Sequence, residues 1–384
     1  MTEDLFSSTH PQLPPTTEET RFLWLRLLRS RRVGPTTFHK LMADHGSAAA
    51  ALSALPEIAQ AAGVSSYEIC PEGVVHAELQ AAQRYGARMI CTGDADYPTH
   101  LADIPDAPPI LWARGDISLL SRPMIALVGA RNASSLGTRM ARSLAHELGA
   151  QGFVVVSGLA RGIDTAAHTA ALETGTIAVF ASGVDVIYPT ENTTLAGDIG
   201  AQGLCLTEQP MGLNPRARHF PARNRIISGL SRAVVVVEAA ARSGSLITAR
   251  NALDQGRDVF AVPGHPFDAR ASGCNMLIRD GAPLVRNAQD VIEALDQTPA
   301  AQFDPEVKQV IQAEPSISPN PTRSLRETSN LHMQILDRLG PTPLAEDQLI
   351  RDLQSSANLV APVLVDMELD GEIKRQAGGL LSRS

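Results

Sequence analysis

Lysine is nearly missing from this chain: among 33 basic residues only Lys40, Lys308 and Lys374 are lysines. Any phosphate it meets is therefore met by guanidinium forks, which suit bidentate contact and stacking on bases; codon bias alone would produce the same preference. No apolar run approaches the ~18 residues that a membrane span needs, so no membrane role is expected. The first twenty residues lack a basic and an apolar region of the signal-peptide kind, and read as a disordered leader. The four cysteines (Cys70, Cys91, Cys205, Cys274) form no C-x-x-C pair. That excludes a zinc signature, fits a reducing cytoplasm, and leaves them as small buried hydrophobes. A net charge of −8 argues against wholesale binding of a polyanion.

The distribution of charge qualifies that exclusion. Residues 124–294 hold 15 arginines against 14 carboxylates, a balance of +1, whereas the rest of the chain stands at −9. Between Gln209 and Val237 lie Arg216, Arg218, Arg223, Arg225 and Arg232 with His219 and no acid. Codon bias explains arginine over lysine, but not an acid-free stretch.

At 384 residues and 44% hydrophobic content, two or three domains are expected. Residues 21–85 read as a helical module. Leu23, Trp24, Leu27 and Leu28 share a face, Val33-Gly34-Pro35 breaks the helix, and Phe38, Leu41 and Met42 resume it. The break is either a nucleic-acid-contacting hairpin or a plain bundle turn. Residues 86–123, with Tyr97-Pro98 and Pro108-Pro109, read as an extended connector packing on the core.

Over 124–297, apolar runs at Ile125–Val128, Phe153–Val156, Thr176–Phe180, Leu204–Leu206, Ala233–Val237 and Val259–Val262 predict strands. Helical patterns at Gly137–Ala150, Asp164–Glu173, Ala222–Leu230 and Ser245–Gln255 alternate with them. This predicts an α/β domain, a Rossmann-like doubly wound and mostly parallel sheet, with ligands beyond the carboxyl ends of its strands. Residues 298–328, rich in Pro, Ser, Thr and Gln, read as a linker. Residues 329–384 predict helices at Leu331–Leu339, Leu344–Leu353 and Asn358–Leu369 and a hairpin, a winged helix. From residue 301 onward the charge is −4, poor for a wing that reads DNA.

Four loops are expected to meet at one sheet edge. The first, Val128-Gly129-Ala130-Arg131, sits where a dinucleotide fingerprint would but has no G-x-G-x-x-G and no supported ribose acid, so no cofactor is expected. The second, Ser157-Gly158-Leu159-Ala160-Arg161-Gly162, offers glycine amides and an arginine at a helix start, an anion site. The third, His219-Phe220-Pro221-Ala222-Arg223-Asn224-Arg225, combines an aromatic platform, two arginines and an amide, which suits single-stranded nucleic acid; alternatively Phe220 is core. The fourth, Ser243-Gly244-Ser245, is a hydroxyl-rich anion cradle without the Walker lysine. Arg131 and Arg225, taken as solvated loop residues, are the expected phosphate contacts. Asp164 and His168 stand at i, i+4 but lack a third metal ligand, and Asp164 reads as a first-turn acid. No catalytic constellation is recoverable.

Val-Gly-Ala-Arg (128–131), Ser-Gly-Leu-Ala-Arg-Gly-Ile-Asp (157–164), Phe-Pro-Ala-Arg-Asn-Arg-Ile-Ile-Ser-Gly-Leu-Ser (220–231), Glu-Ala-Ala-Ala-Arg-Ser-Gly-Ser-Leu-Ile-Thr-Ala (238–249) and Ala-Val-Pro-Gly (261–264) resemble the DNA-processing protein DprA (Smf) family. The resemblance implies a non-enzymatic protein that binds and protects single-stranded DNA during natural transformation, loads RecA recombinase and forms a homodimer. Its implied binding pocket comprises Arg131, the Ser157–Arg161 loop, Phe220, Arg223, Asn224, Arg225 and Ser243–Ser245. Gly129 and His219 complete the candidate set, His219 standing where relatives often carry lysine. The competing class is a phosphoribohydrolase of the lysine-decarboxylase-like family, whose Pro-Gly-Gly-x-Gly-Thr loop is replaced here by Arg-Ser-Gly-Ser-Leu.

Overall fold

The computed structural model describes residues 14–64 and 66–297, and beyond them separate positions between Ile335 and Arg383. The chain divides into two compact units, residues 1–300 and 301–384. The expected linker, 298–328, lies outside the described residues.

The first unit opens with α1 (Glu18–Arg29), α2 (Pro35–His45), α3 (Ala48–Ala61) and α4 (Glu72–Tyr85). Helix α1 starts within the stretch expected to be a disordered leader. Its cap is reciprocal: Thr17 Oγ1 accepts from Thr20 N at 3.1 Å, and Thr20 Oγ1 accepts from Thr17 N at 3.1 Å. Threonine here does the work usually given to Glu or Gln at that position, so the pattern escapes a sequence search. Pro35 opens α2 behind Gly34, as its fixed φ favours. Trp24 and Phe38 meet edge-on at 5.1 Å inside the helical core.

An eight-stranded sheet follows: β1 (Arg88–Cys91), β2 (Ile110–Gly115), β3 (Met124–Gly129), β4 (Val154–Ser157), β5 (Thr176–Val179), β6 (Leu204–Thr207), β7 (Ala233–Glu238) and β8 (Asp258–Ala261). Its order is β1-β2-β6-β5-β4-β3-β7-β8. Strands β3 to β8 are parallel, whereas β2 runs antiparallel to both β1 and β6. All six strands read from the sequence are present. The stretch expected as a connector supplies two more, hydrogen-bonded into the sheet.

The remaining helices are α5 (Thr99–Ala102), α6 (Ser135–Ala150), α7 (Ile163–Ala171), α8 (Thr193–Gln202), α9 (His219–Leu230), α10 (Ser245–Asp254), α11 (Ser272–Arg279) and α12 (Ala288–Gln297). They cover both faces, and strand residues such as Val155, Val156, Val234 and Val235 are fully buried. Burial on two sides is why these strands read as unbroken β-branched runs.

After β3 the chain winds one way to β6, then α9 carries it back to β7 on the other side of β3. The loops after β3, β4 and β7 therefore open at the topological switch point, where doubly wound sheets bind ligands.

The helical module is joined to the sheet through side chains. Trp112 of β2 donates Nε1–H to Glu78 Oε1 at 2.8 Å, and Arg29 of α1 forks onto the same carboxylate at 2.8 and 2.9 Å. One apolar cluster includes Leu25, Phe38, Ile110, Trp112 and Phe180.

In the second unit, β9 (Leu344–Ala345), β10 (Ile373–Gln376) and β11 (Leu380–Arg383) form a sheet in the order β10-β11-β9. Leu344 and Ala345, expected to start a helix, pair with β11 instead, and helical geometry appears at 349–351. Ile335, Leu349, Val360, Leu364, Met367, Ile373 and Leu381 make this unit's own core.

Candidate nucleic-acid interface

The loops after β3, β4 and β7 and the first turns of α9 surround a cleft of about 600 Å³ lined by Gly129, Arg131, Phe220, Arg223, Ser243 and Ser245 among others. A smaller hollow of about 300 Å³ adjoins it, with Gly158, Arg161 and Tyr188 on its walls.

Two glycines allow this convergence. Gly162 has φ +79°, and a Cβ there would stand 2.2 Å from the Ala130 carbonyl oxygen and 2.6 Å from that of Arg131. A Cβ on Gly158 would overlap the Arg223 guanidinium, 1.4 Å from Nη1. Between them Leu159 has φ +56°, a costly conformation for a residue with a side chain.

The surroundings hold that turn on several sides. Asp164 Oδ2 accepts from Gly158 N at 3.1 Å and Ala160 N at 3.3 Å, and Asn192 Nδ2 donates to Leu159 O at 2.8 Å. His168 Nε2 accepts from Leu159 N at 3.3 Å. Asp164 and His168, spaced like metal ligands, are thus committed to backbone amides of the loop.

The His168 tautomer follows from its partners. Thr176 Oγ1 donates to Val155 O at 2.8 Å, so it accepts from His168 Nδ1–H at 2.7 Å, leaving Nε2 as the acceptor. Burial first, then the Arg223 charge, brings the imidazole pKa down to about 3. In the unfolded chain the ring takes up its proton near pH ~6.5. Its contribution to stability is therefore present above that pH and is lost as pH falls toward 3. Asp164, pushed up by burial against the pull of Arg223, acts in the opposite sense. Urea titrations of the wild type and His168→Gln isolate the histidine: the stability gap between them should narrow by up to ~1.4 kcal/mol per pH unit below pH ~6.5. A gap independent of pH would contradict the neutral ring.

The arginines divide by depth. Arg131 is exposed, its guanidinium carbon 5.3 Å from the Phe220 ring centre. Phe220 is half-buried in the cleft wall, and the Tyr188 ring lies 5.6 Å from it at 56°. Arg223 is buried and donates Nη1–H to Val179 O at 3.0 Å. Burial lowers its pKa to about 10, so it remains a cation fixed in the floor at neutral pH. Arg161 stands at the rim, 3.6 Å from Glu191. Asn224 Nδ2 reaches Gly244 O at 3.4 Å, and the Ser243 and Ser245 hydroxyls share a hydrogen bond of 2.7 Å at the start of α10.

Three expected members stand apart. Arg225 is no loop residue: it lies in α9, two positions beyond Arg223. At ~100° per residue the two side chains leave the helix in nearly opposite directions. Its Nη2 donates to Glu208 Oε2 at 2.6 Å and its Nε lies 2.9 Å from Asp106 Oδ2, away from the cleft. Ser157 is fully buried, its hydroxyl donating to Leu127 O at 2.7 Å to tie β4 to β3. His219 is buried too, its Nδ1 accepting from Arg216 N at 3.1 Å. Burial, then the neighbouring Arg218 and Arg216, lowers its pKa, which keeps the ring neutral.

Sequence reasoning overlooked Tyr188, Arg242 and Arg270, all of which line these cavities. The signal for Tyr188 was its place after β5, at the carboxyl end of a parallel strand, as one of four tyrosines.

The sequence pattern of DNA recombination-mediator protein A matches residues 88–296. That of a DprA-like N-terminal HHH domain matches 18–81, and that of a DprA winged helix domain matches 319–379. DNA processing protein DprA of Streptococcus pneumoniae is 49% identical over 201 residues, 52% of this chain and 71% of that protein. Its Bacillus subtilis counterpart is 43% identical over 230 residues, 59% and 77% of the two chains. The X-ray structure of the S. pneumoniae protein matches with TM-score 0.57 and 37% identity, covering 71% of this chain and 93% of that one. A structure of DNA processing protein A from Helicobacter pylori, described for its unique single-stranded DNA binding mode, matches with TM-score 0.51 and 31% identity, covering 55% and 96%. With more than half its length matched by the central pattern, and its sheet and switch-point loops assembled as described, this chain belongs to the DNA recombination-mediator protein A family.

Proposed function

We propose that this chain binds single-stranded DNA in the cleft at the switch point, protects it and passes it to RecA recombinase during natural transformation, acting as a homodimer. The observation that carries this reading is the stack of Arg131 over Phe220 above the buried Arg223. An exposed guanidinium for phosphate, an aromatic face for an unstacked base and a fixed cation beneath suit a single strand rather than a duplex groove. The relatives' DNA-processing role and the H. pylori protein's binding mode support it. The steps involving RecA and the dimer rest on family membership.

The phosphoribohydrolase alternative needs a carboxylate free to act on substrate. Glu238, the acid ending β7, instead accepts from Ser134 N at 3.1 and 3.2 Å and from Ser134 Oγ at 2.5 Å. That arrangement favours a structural role for Glu238, and binding over hydrolysis.

Arg131→Ala should weaken single-strand binding about 10- to 100-fold, the ~1.5–3 kcal/mol of a charge-assisted contact, and reduce the salt slope by ~0.7. Its stability should fall by no more than ~1 kcal/mol, the worth of an exposed contact with Phe220, because Arg131 is exposed and in no ion pair among the described residues. Anisotropy titrations at several salt concentrations read this out; unchanged affinity and slope would place the DNA elsewhere.

A further inference from the structure

Across Glu238 from the first cleft lies a second one, of about 630 Å³, between α6 and the loop of residues 262–271. We propose that this second cleft continues the DNA path: a strand held at Arg131 and Phe220 crosses Arg270 and lays its next nucleotides here. The inference rests on the single-strand reading above.

The second cleft repeats the exposed part of the first cleft's chemistry but has no buried arginine in its lining, so a short strand prefers the first. Much of the second cleft's lining is apolar, with Val237 buried, Val262 half-buried and Leu136 73% exposed at its edge. Arg139 and Arg142 line it from α6, both exposed and neither in an ion pair or hydrogen bond among the described residues. On the opposite side His265 lines the cleft, and just outside the lining the Phe267 ring, 93% exposed, lies 5.6 Å from the His265 ring at 37°. The pair is held in place, since Phe267 N donates to His265 Nδ1 at 3.2 Å. Exposed guanidinium groups on one side of a largely apolar cleft, with His265 on the other and the exposed Phe267 ring next to it, match a phosphate backbone carrying unstacked bases.

Continuity chooses the occupant. Arg270 lines the first cleft, whereas its partner Asp268 lines the second. Arg270 forks onto Asp268 at 3.1 Å through each of two nitrogens, and its Nε stands 3.9 Å from Glu238 Oε1. This one cation faces both acids at the divide and leaves −1 there instead of −2, which lowers the charge barrier to a polyanion crossing it.

The full-length chain is titrated with labelled oligothymidylates of ~4 and ~20 nucleotides, the short one filling only a single cleft. Phe267→Ala and the double variant Arg139→Ala/Arg142→Ala should each bind the long strand about tenfold more weakly and the short strand like wild type. The double variant should also lose ~1.4 of salt slope on the long strand. Phe267→Trp should keep long-strand affinity, and its emission should change when the ~20-mer binds but not the ~4-mer. The two native tryptophans, Trp24 and Trp112, are buried away from this surface and leave the reporter clear. If Arg131→Ala weakens binding while these variants match wild type on both lengths, the second cleft is refuted and the first stands. Equal losses on both lengths also refute it, since they mean the residues act through the first cleft. If Arg131→Ala binds as wild type, the underlying reading falls first.

Discussion

Gly162→Ala should destabilise the first unit by ~2–5 kcal/mol, the left-handed backbone costing ~1–2 kcal/mol and the forced contacts another ~1–3 kcal/mol. The Cβ would meet two carbonyl oxygens, those of Ala130 and Arg131, rather than the movable end of a side chain. Relief requires the loop after β3 to retreat, and that loop carries Arg131, so DNA affinity should fall with stability. Gly152 provides the control: its φ is +88°, yet nothing lies within 4 Å of where its Cβ would stand. Gly152→Ala should cost only the backbone term, ~1–2 kcal/mol, and leave binding intact. Urea unfolding of both variants separates the terms; equal losses would mean that contact between the two loops contributes nothing.

Arg225→Ala should also cost about 3 kcal/mol, the effect of breaking a buried ion pair, while the protein that remains folded binds DNA as before. The side chains of Arg225 and Glu208 are each 11% exposed, so removing the guanidinium strands a carboxylate in the interior. Burial already pushes the Glu208 pKa up while Arg225 pulls it down. Without Arg225 the carboxyl should remain protonated to higher pH, so Glu208→Gln in the same chain should recover much of the loss. A double-mutant cycle by chemical denaturation checks this. Weaker DNA binding at unchanged stability would return Arg225 to the interface.

What could be read from the sequence followed burial and backbone geometry. Strands β3 to β8 were legible because a parallel strand covered on both faces is a continuous apolar run. The loops were legible because glycines cluster where another group comes against the backbone, a second loop's carbonyls at Gly162 and the Arg223 guanidinium at Gly158. Strands β1 and β2 were not: Arg88–Cys91 lies at the sheet edge with its first half uncovered, so it makes no continuous apolar run, and β2 follows directly on Pro108-Pro109. Helix α8 hid behind two glycines that lower its propensity. Arg223 and Arg225 look equivalent in sequence, and only the helical twist of α9 sends one to the cleft and the other to Glu208. His219 and Ser157 show the same limit, since polarity in a motif does not reveal whether a side chain faces ligand or its own backbone.

The seam between the helical module and the sheet bears on how such a chain can be inherited. Glu78 holds Trp112 and Arg29 at once, and Phe38 belongs to the same apolar cluster as Ile110 and Phe180. A recombination event cutting near residue 86 would separate two halves of one interior and uncover Trp112, now 1% exposed. Modules joined by a tether can be exchanged between genes like beads on a string. These two can drift only as co-adapted partners, each constraining which substitutions the other tolerates.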